Sequence, residues 1–133
     1  VELFPMAMDQ GIRVIPYSPL GGGLLTGKYV AGGEGRLTED ARYKARYDQT
    51  WMHATAEKLT QLGEKMGISP TTLAVAWAAR HPAKPHPIIS ARSVEQLKPS
   101  LDAQNLRMSD ELYAEIANLS LTPAPATDRL EEA

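Results

Sequence analysis

Apolar residues along the chain fall into two rhythms. Between residues 50 and 66, Leu59, Leu62 and Met66 recur at i, i+3 and i+7, with Trp51 and Thr55 extending the stripe toward the N-terminus. That period predicts a helix with one apolar face, and Gly67 is placed to end it. Ser69 as N-cap and Pro70 at the first helical position start a second helix. It runs through Leu73-Ala74-Val75-Ala76-Trp77-Ala78-Ala79 to Arg80-His81-Pro82, and being apolar nearly all round it should be buried on most sides. Ser93-Val94-Glu95-Gln96 has the spacing of a capping box. The helix it opens has Leu97 and Leu101 as its face, and Pro99 inside it predicts a kink or a broken first turn. Ser109 caps a last helix on which Leu112, Ile116 and Leu119 share a side. Residues 1–10, interrupted by Pro5, read as a short helical tail.

The second rhythm is shorter and β-branched. Ile12-Arg13-Val14-Ile15-Pro16-Tyr17 and Ile88-Ile89-Ser90-Ala91 read as two strands. Pro16 and Pro19 cannot donate to a ladder, so pairing of the first should stop near them. Residues 18–48 are expected to form a long irregular connection, flexible at Gly32-Gly33-Glu34-Gly35 and locally basic at Arg36, Arg42, Lys44 and Arg46. Connections this long are usually functional or disordered. Strands separated by helices imply parallel pairing and an α/β architecture. No internal repeat is present, and two strands make no closed sheet. The expectation is one unit over residues 1–121, the end of a larger α/β protein, with a loose Pro- and Ala-rich tail at 122–133.

Composition narrows the function classes. Fourteen Lys and Arg stand against 16 Asp and Glu, so no net field draws the chain to nucleic acid or an acidic membrane. There is no cysteine, which removes disulfide and thiolate chemistry and suits a cytoplasmic location. No apolar run approaches the roughly 20 residues that span a bilayer, and no basic-then-apolar leader opens the chain. A first residue of Val rather than Met points to a missing upstream part.

Several stretches carry candidate chemistry. Gly22-x-x-x-x-Gly27-Lys28 follows a strand as a P-loop does, but Tyr29 stands where Ser or Thr should meet Mg²⁺, and Leu24 and Leu25 are bulky where a loop should wrap phosphate. Residues 62–74 have the rhythm of a helix-turn-helix, yet the second helix offers little beyond Thr71 and Thr72 to read a base, so a packing unit is the simpler reading. At Ser90-Ala91-Arg92-Ser93-Val94-Glu95-Gln96 a strand end, an arginine and a capped helix start coincide. Such a helix start attracts anions, and the arginine fork matches phosphate oxygens; a capped surface helix with a solvated arginine is the equally simple alternative. His53, His81 and His86 lack ligand spacing, so no metal is expected. Ser18 lacks the setting of a hydrolase nucleophile, and Glu39-Asp40 read as solvated loop acids.

Taken together, Tyr17-Ser18-Pro19-Leu20 with Gly23-Leu24-Leu25-Thr26-Gly27-Lys28-Tyr29 resembles the seventh-strand segment of the aldo-keto reductase family. Ser90-Ala91-Arg92-Ser93-Val94-Glu95-Gln96-Leu97 resembles that family's eighth-strand, phosphate-binding segment. The Ala74-Val75-Ala76-Trp77 helix between them is also similar, so the resemblance covers nearly the whole chain apart from its tail. It implies a (β/α)8 TIM barrel of about 250 residues, of which this chain would be the C-terminal portion, about strands 7 and 8 with their helices. It also implies bound NADPH/NADP+ and a small-molecule carbonyl substrate. In that arrangement Tyr17 would stack on the nicotinamide, and Ser18, Pro19, Leu20, Gly21 and Gly22 would line the pyrophosphate path. Lys28 and Arg36 would reach phosphates. Ser90 and Arg92, with Ala91 between them, would hold the adenosine 2′-phosphate, and Gln96 and Ser100 would lie near the adenine.

Three positions depart from the family pattern. Ser90 replaces a usual glycine, Ser100 a usual asparagine, and Pro99 an often acidic residue. The tyrosine, lysine, aspartate and histidine that move protons in the family belong to earlier strands, and Tyr17 is not that tyrosine. The expectation is an NADPH-dependent oxidoreductase that reduces aldehydes or ketones to alcohols, with this chain supplying cofactor binding and no catalytic residue. Unpaired strand edges would make it self-associate or need the missing N-terminal half. The alternatives are a non-enzymatic NADPH-binding regulatory or interaction module, like the channel β subunits of this barrel, and a helix-turn-helix DNA binder.

Overall fold

The computed structural model describes residues 2–122. Beyond Thr122 the expected tail lies outside the described residues. In chain order the described residues form α1 (Leu3–Asp9), a 3₁₀ segment (Gly21–Thr26), α2 (Arg36–Glu39), α3 (Ala41–Tyr47), α4 (Thr50–Met66), α5 (Pro70–Arg80), α6 (Val94–Asp102), a second 3₁₀ turn (Ala103–Asn105) and α7 (Asp110–Ala117).

Local chemistry accounts for the helix ends. Gly67 ends α4 in the left-handed region at φ 67°, with its N–H on the Glu64 and Gly63 carbonyls, a conformation that costs glycine nothing. Pro70 opens α5, although the Ser69 hydroxyl makes no capping bond. Ser93 and Ser109 do cap, accepting from the N–H groups of Gln96 and Leu112. Pro99 is accommodated inside α6, and its carbonyl accepts from the Thr72 hydroxyl of α5 at 2.7 Å.

The main core joins α4, α5 and α7. Leu59, Leu62, Leu73, Ala74, Ala76, Met108 and Ile116 are buried together, with Leu112, Tyr113 and Leu119 packed against them. Trp77 stacks on Tyr113 at 5.7 Å, and Arg80 ties the two helices by an ion pair to Asp110 and a bond to the Met108 carbonyl. A smaller cluster of Leu24, Leu37 and Ala56, flanked by Tyr29, Tyr43 and Tyr47, fastens the glycine-rich segment to α4. The buried line of α4 therefore includes Ala56 and Gly63, whereas Trp51 and Met66 are exposed. Small residues carry little weight in a hydrophobic period, so the observed stripe is displaced from the expected one by part of a turn.

Two sequence expectations need correction. The described residues contain no regular strand. The stretches around 12–17 and 85–91 do lie side by side: His86 N–H donates to the Val14 carbonyl at 2.9 Å and Ile88 N–H to the Pro16 carbonyl at 2.8 Å. Equal steps in both stretches make the alignment parallel. A parallel ladder also needs the return bond from residue 16 to the His86 carbonyl, and Pro16 has no N–H to make it. The 18–48 connection, expected to be irregular, contains the 3₁₀ segment, α2 and α3. Asp40 starts α3 by accepting from Arg42 N–H, and the Arg42 guanidinium beside it holds its carboxyl below the usual carboxylate range.

The fold also bears on two alternatives. Thr71 through Ala76 are buried, so the helix a DNA reader would present is inside the core. Leu24 is buried in the small cluster and Leu25 packs beside it, which turns these side chains into the protein rather than around a phosphate. Among the described residues no helix is long and apolar enough to cross a membrane.

Gly63 sits where α4 meets the turn into α5. A Cβ there would lie 2.5 Å from the Ile68 carbonyl oxygen and 3.3 Å from Pro70 N, both backbone atoms that cannot move aside alone. Gly63→Ala should therefore destabilise the chain by about 1–3 kcal/mol, the usual cost of overpacking. Urea denaturation checks this, and an unchanged midpoint would show the contact to be slack.

Candidate functional site

The parallel contact fixes where the sequence motifs meet. It sets the end of the first extended stretch, Tyr17-Ser18-Pro19-Leu20, beside the end of the second, Ile88 to Arg92. Between them opens a cleft of about 610 Å³, within the range of small-molecule sites. Its walls include Tyr17, Ser18, Pro19, Leu20, Gly22, Lys28, Arg36, Ser90, Ala91, Arg92 and Gln96. Eleven of the thirteen residues expected from sequence thus share one wall. Gly21 does not; it faces the Tyr47 ring. Ser100 does not either, being 4% exposed on the inner side of α6. The expected α6 face of Leu97 and Leu101 shifts accordingly, since Leu101 is 46% exposed.

The charge pattern of the cleft differs from that of the chain. Among the described residues Lys28, Arg36 and Arg92 line it against a single carboxylate, Glu39. Arg36 lies over the Tyr43 ring at 5.3 Å, a cation–π contact that leaves its charge uncancelled. Lys28 lies over the Tyr29 ring at 4.7 Å. Among the described residues the ion pairs include neither Lys28, Arg36 nor Arg92. Three cations without carboxylate partners on one concave wall suit a ligand with several phosphate oxygens.

The backbone of the glycine segment suits the same ligand. Gly22 and Gly23 hold φ of 66° and 97°, which brings main chain to the cleft surface without side chains. A Cβ on Gly22 would meet the Tyr43 ring at 2.7 Å, so the far side of this turn is already filled. Tyr17 is 73% exposed, and its ring is free to lie against a planar group.

At the start of α6 the helix end is partly engaged. The Ser93 hydroxyl accepts from Gln96 N–H at 3.3 Å, and the Gln96 side-chain Oε1 accepts from Arg92 N–H at 3.3 Å. The expected capping box is thus closed one residue early, on Arg92 instead of Ser93. Backbone N–H and the Ser93 hydroxyl hold the Glu95 carboxyl below its usual range. An anion here would meet the side chains of Arg92 and Ser90 more than bare N–H groups.

Sequence reasoning missed Glu39, Ser69 and Thr71 on the cleft wall. Glu39 reads as a solvated loop acid; it is exposed, and the turn of α2 sets it at the cleft. The histidines stay apart: His53 bonds Asp48 at 2.8 Å, and His81 packs on Phe4 at 4.2 Å with its Nδ1 accepting from Ala83 N–H. Burial pushes the His81 pKa down, in keeping with a neutral acceptor. Among the described residues no group of three His, Asp or Glu could hold a metal ion.

A protein-family model described as the aldo/keto reductase family matches residues 1–120. The chain is 35% identical over 121 residues to the uncharacterized oxidoreductase YrpG of Bacillus subtilis (strain 168), covering 85% of this chain and 36% of that protein. It is 29% identical over 119 residues to protein tas of Escherichia coli (strain K12), covering 87% and 34%. It is 30% identical over 119 residues to the 6-dehydroglucose reductase of Agrobacterium fabrum, covering 87% and 32%. The chain spans about a third of the length of the curated relatives it matches.

Ser18 turns the chain into the cleft from the left-handed region, at φ 56°. That conformation is costly for a residue with a Cβ, and more so before a proline. Ser18→Gly should raise stability by up to about 1 kcal/mol by removing this strain, measured by thermal unfolding. A lower melting temperature would mean that the hydroxyl, not the backbone, matters there.

Proposed function

The chain belongs to the aldo/keto reductase family, and from that membership we propose that it is the cofactor-binding, C-terminal part of a (β/α)8-barrel oxidoreductase that reduces aldehydes or ketones to alcohols. Members of this family generally use a nicotinamide dinucleotide. The observation that carries the reading is the convergence of two distant motifs on one cleft whose walls hold Lys28, Arg36 and Arg92 against Glu39.

The residues present fit such a cofactor. Tyr17 offers an exposed aromatic face to the nicotinamide, and a ring held on one face leaves the other for the substrate. The Gly22 backbone and Pro19 leave room for a pyrophosphate, with Lys28 and Arg36 as its cationic partners. Arg92 and Ser90 take the adenosine 2′-phosphate, which makes NADPH the preferred form; Gln96 shapes the adenine end by holding the Arg92 backbone. When bound, the cofactor supplies the hydride. Proton transfer belongs to residues on parts of the barrel other than this chain, and so does most of the carbonyl-substrate pocket.

Several large apolar residues beside the parallel contact are exposed, among them Ile12, Ile15 and Ile88. Further strands of a barrel would cover them. Left uncovered, such a surface favours self-association of the chain on its own.

Fluorescence titration with NADPH and NADH tests the reading. NADPH should bind more tightly, and Arg92→Leu should weaken NADPH by about 10- to 100-fold while leaving NADH nearly unchanged, the loss expected for charge-assisted bonds to one phosphate. Equal affinities for the two cofactors, or equal losses in the variant, would contradict it.

A further inference from the structure

We propose that Gly35 is a positioning residue, whose lack of a side chain opens the slot that fixes the Lys28 ammonium at the cleft. The inference rests on the proposed function, in which Lys28 meets a cofactor phosphate.

The chain after Lys28 folds back on it. Gly33 N–H donates to the Lys28 carbonyl at 2.8 Å, and Gly32 N–H to that of Tyr29 at 3.1 Å. This turn lays buried Gly35 across the end of the lysine side chain. A Cβ on Gly35 would collide with Lys28 Nζ, and it would lie 3.0 Å from Lys28 Cε and 2.9 Å from the Tyr29 hydroxyl. On the other side, a Cβ on Gly23 would lie 3.4 Å from Lys28 Cε. The ammonium rests 4.7 Å above the Tyr29 ring, and that ring is pinned in turn, its hydroxyl accepting from Leu37 N–H at 3.1 Å. The slot thus has backbone walls at Gly23 and Gly35 and an aromatic floor.

Backbone geometry does not explain the glycine at position 35. Its φ of 160° is extended backbone open to any residue. What the position excludes is volume. A lysine side chain loses much rotamer freedom when it is fixed, so ordering it before a ligand arrives lowers the cost at binding. The atoms that an added Cβ would displace are mainly the far end of a flexible side chain, so Gly35→Ala should move Lys28 and leave the fold in place.

The test labels lysines of the full chain with an amine-reactive acetylating reagent and reads each site by peptide mass spectrometry. In the unmodified chain Lys28 should react more slowly than Lys44, whose side chain is 65% exposed. Gly35→Ala should raise the Lys28 rate by about threefold or more, the scale of a lost cation–π contact, with Lys44, Lys58 and Lys65 unchanged and the melting temperature retained. If Gly35→Ala does not fold, Tyr29→Leu removes the floor with Gly35 in place and should raise the Lys28 rate equally. Equal Lys28 and Lys44 rates in the unmodified chain, or a Lys28 rate unmoved by either variant, would overturn the proposal. NADPH titration separates the two claims. Gly35→Ala should weaken NADPH several-fold, and on a Lys28→Met background it should have no further effect. An additional loss on that background would overturn the positioning role. Labelling that responds in a chain that binds no NADPH would leave the slot standing and remove the cofactor reading instead.

Discussion

Two backbone hydrogen bonds, from His86 to Val14 and from Ile88 to Pro16, hold the site together. The stretches they join are far apart in sequence and separated by α4 and α5. Without this parallel contact Tyr17 and Arg92 would end on unrelated surfaces. The contact is short by construction: Pro16 omits the return bond, and Ser18 bends the chain away through a left-handed turn. The chain thus leaves its neighbour where the cleft begins. Leu73, fully buried at the centre of α5, anchors that helix in the main core, and the Thr72–Pro99 bond joins it to α6.

Electrostatics then decides what the cleft can hold. A chain with a formal charge of −2 gathers three cations on one concave wall and leaves them without carboxylate partners among the described residues. Two of the three rest on tyrosine rings, which orient a cation without neutralising it. Glu39 is the exception on that wall, and α2 brings it there. The aromatic residues of the 18–48 connection therefore serve packing and charge placement together: Tyr29, Tyr43 and Tyr47 fill the small cluster, while Tyr29 and Tyr43 carry Lys28 and Arg36.

Much of this is legible in the sequence, for identifiable reasons. Pro70, Gly67, Ser93 and Ser109 are residues whose own bonding marks helix ends, so those positions alone place α4 to α7. The cleft residues are legible because two motifs can be matched to one family. What fails depends on packing. The strands read from β-branched runs do not form, because prolines stand at the positions that a ladder needs. Ser100 is assigned to a ligand by its place in a motif, but α6 turns that position inward beside α5. The helices α2 and α3 are invisible because each is too short to show a period, and the packing of Leu37, Tyr43 and Tyr47 on Leu24 and Ala56 that holds them is tertiary. Gly35 gives no signal at all; only the path of Lys28 reveals why a side chain is excluded there.

The claim on which the rest stands is that this cleft holds the dinucleotide. Hydrogen exchange with mass spectrometry, with and without NADPH, tests it directly. Protection should appear together in the peptides spanning residues 17–28 and 88–96, while the amides of α7 stay unchanged. No protection, or protection confined to only one of those two stretches, would contradict the account.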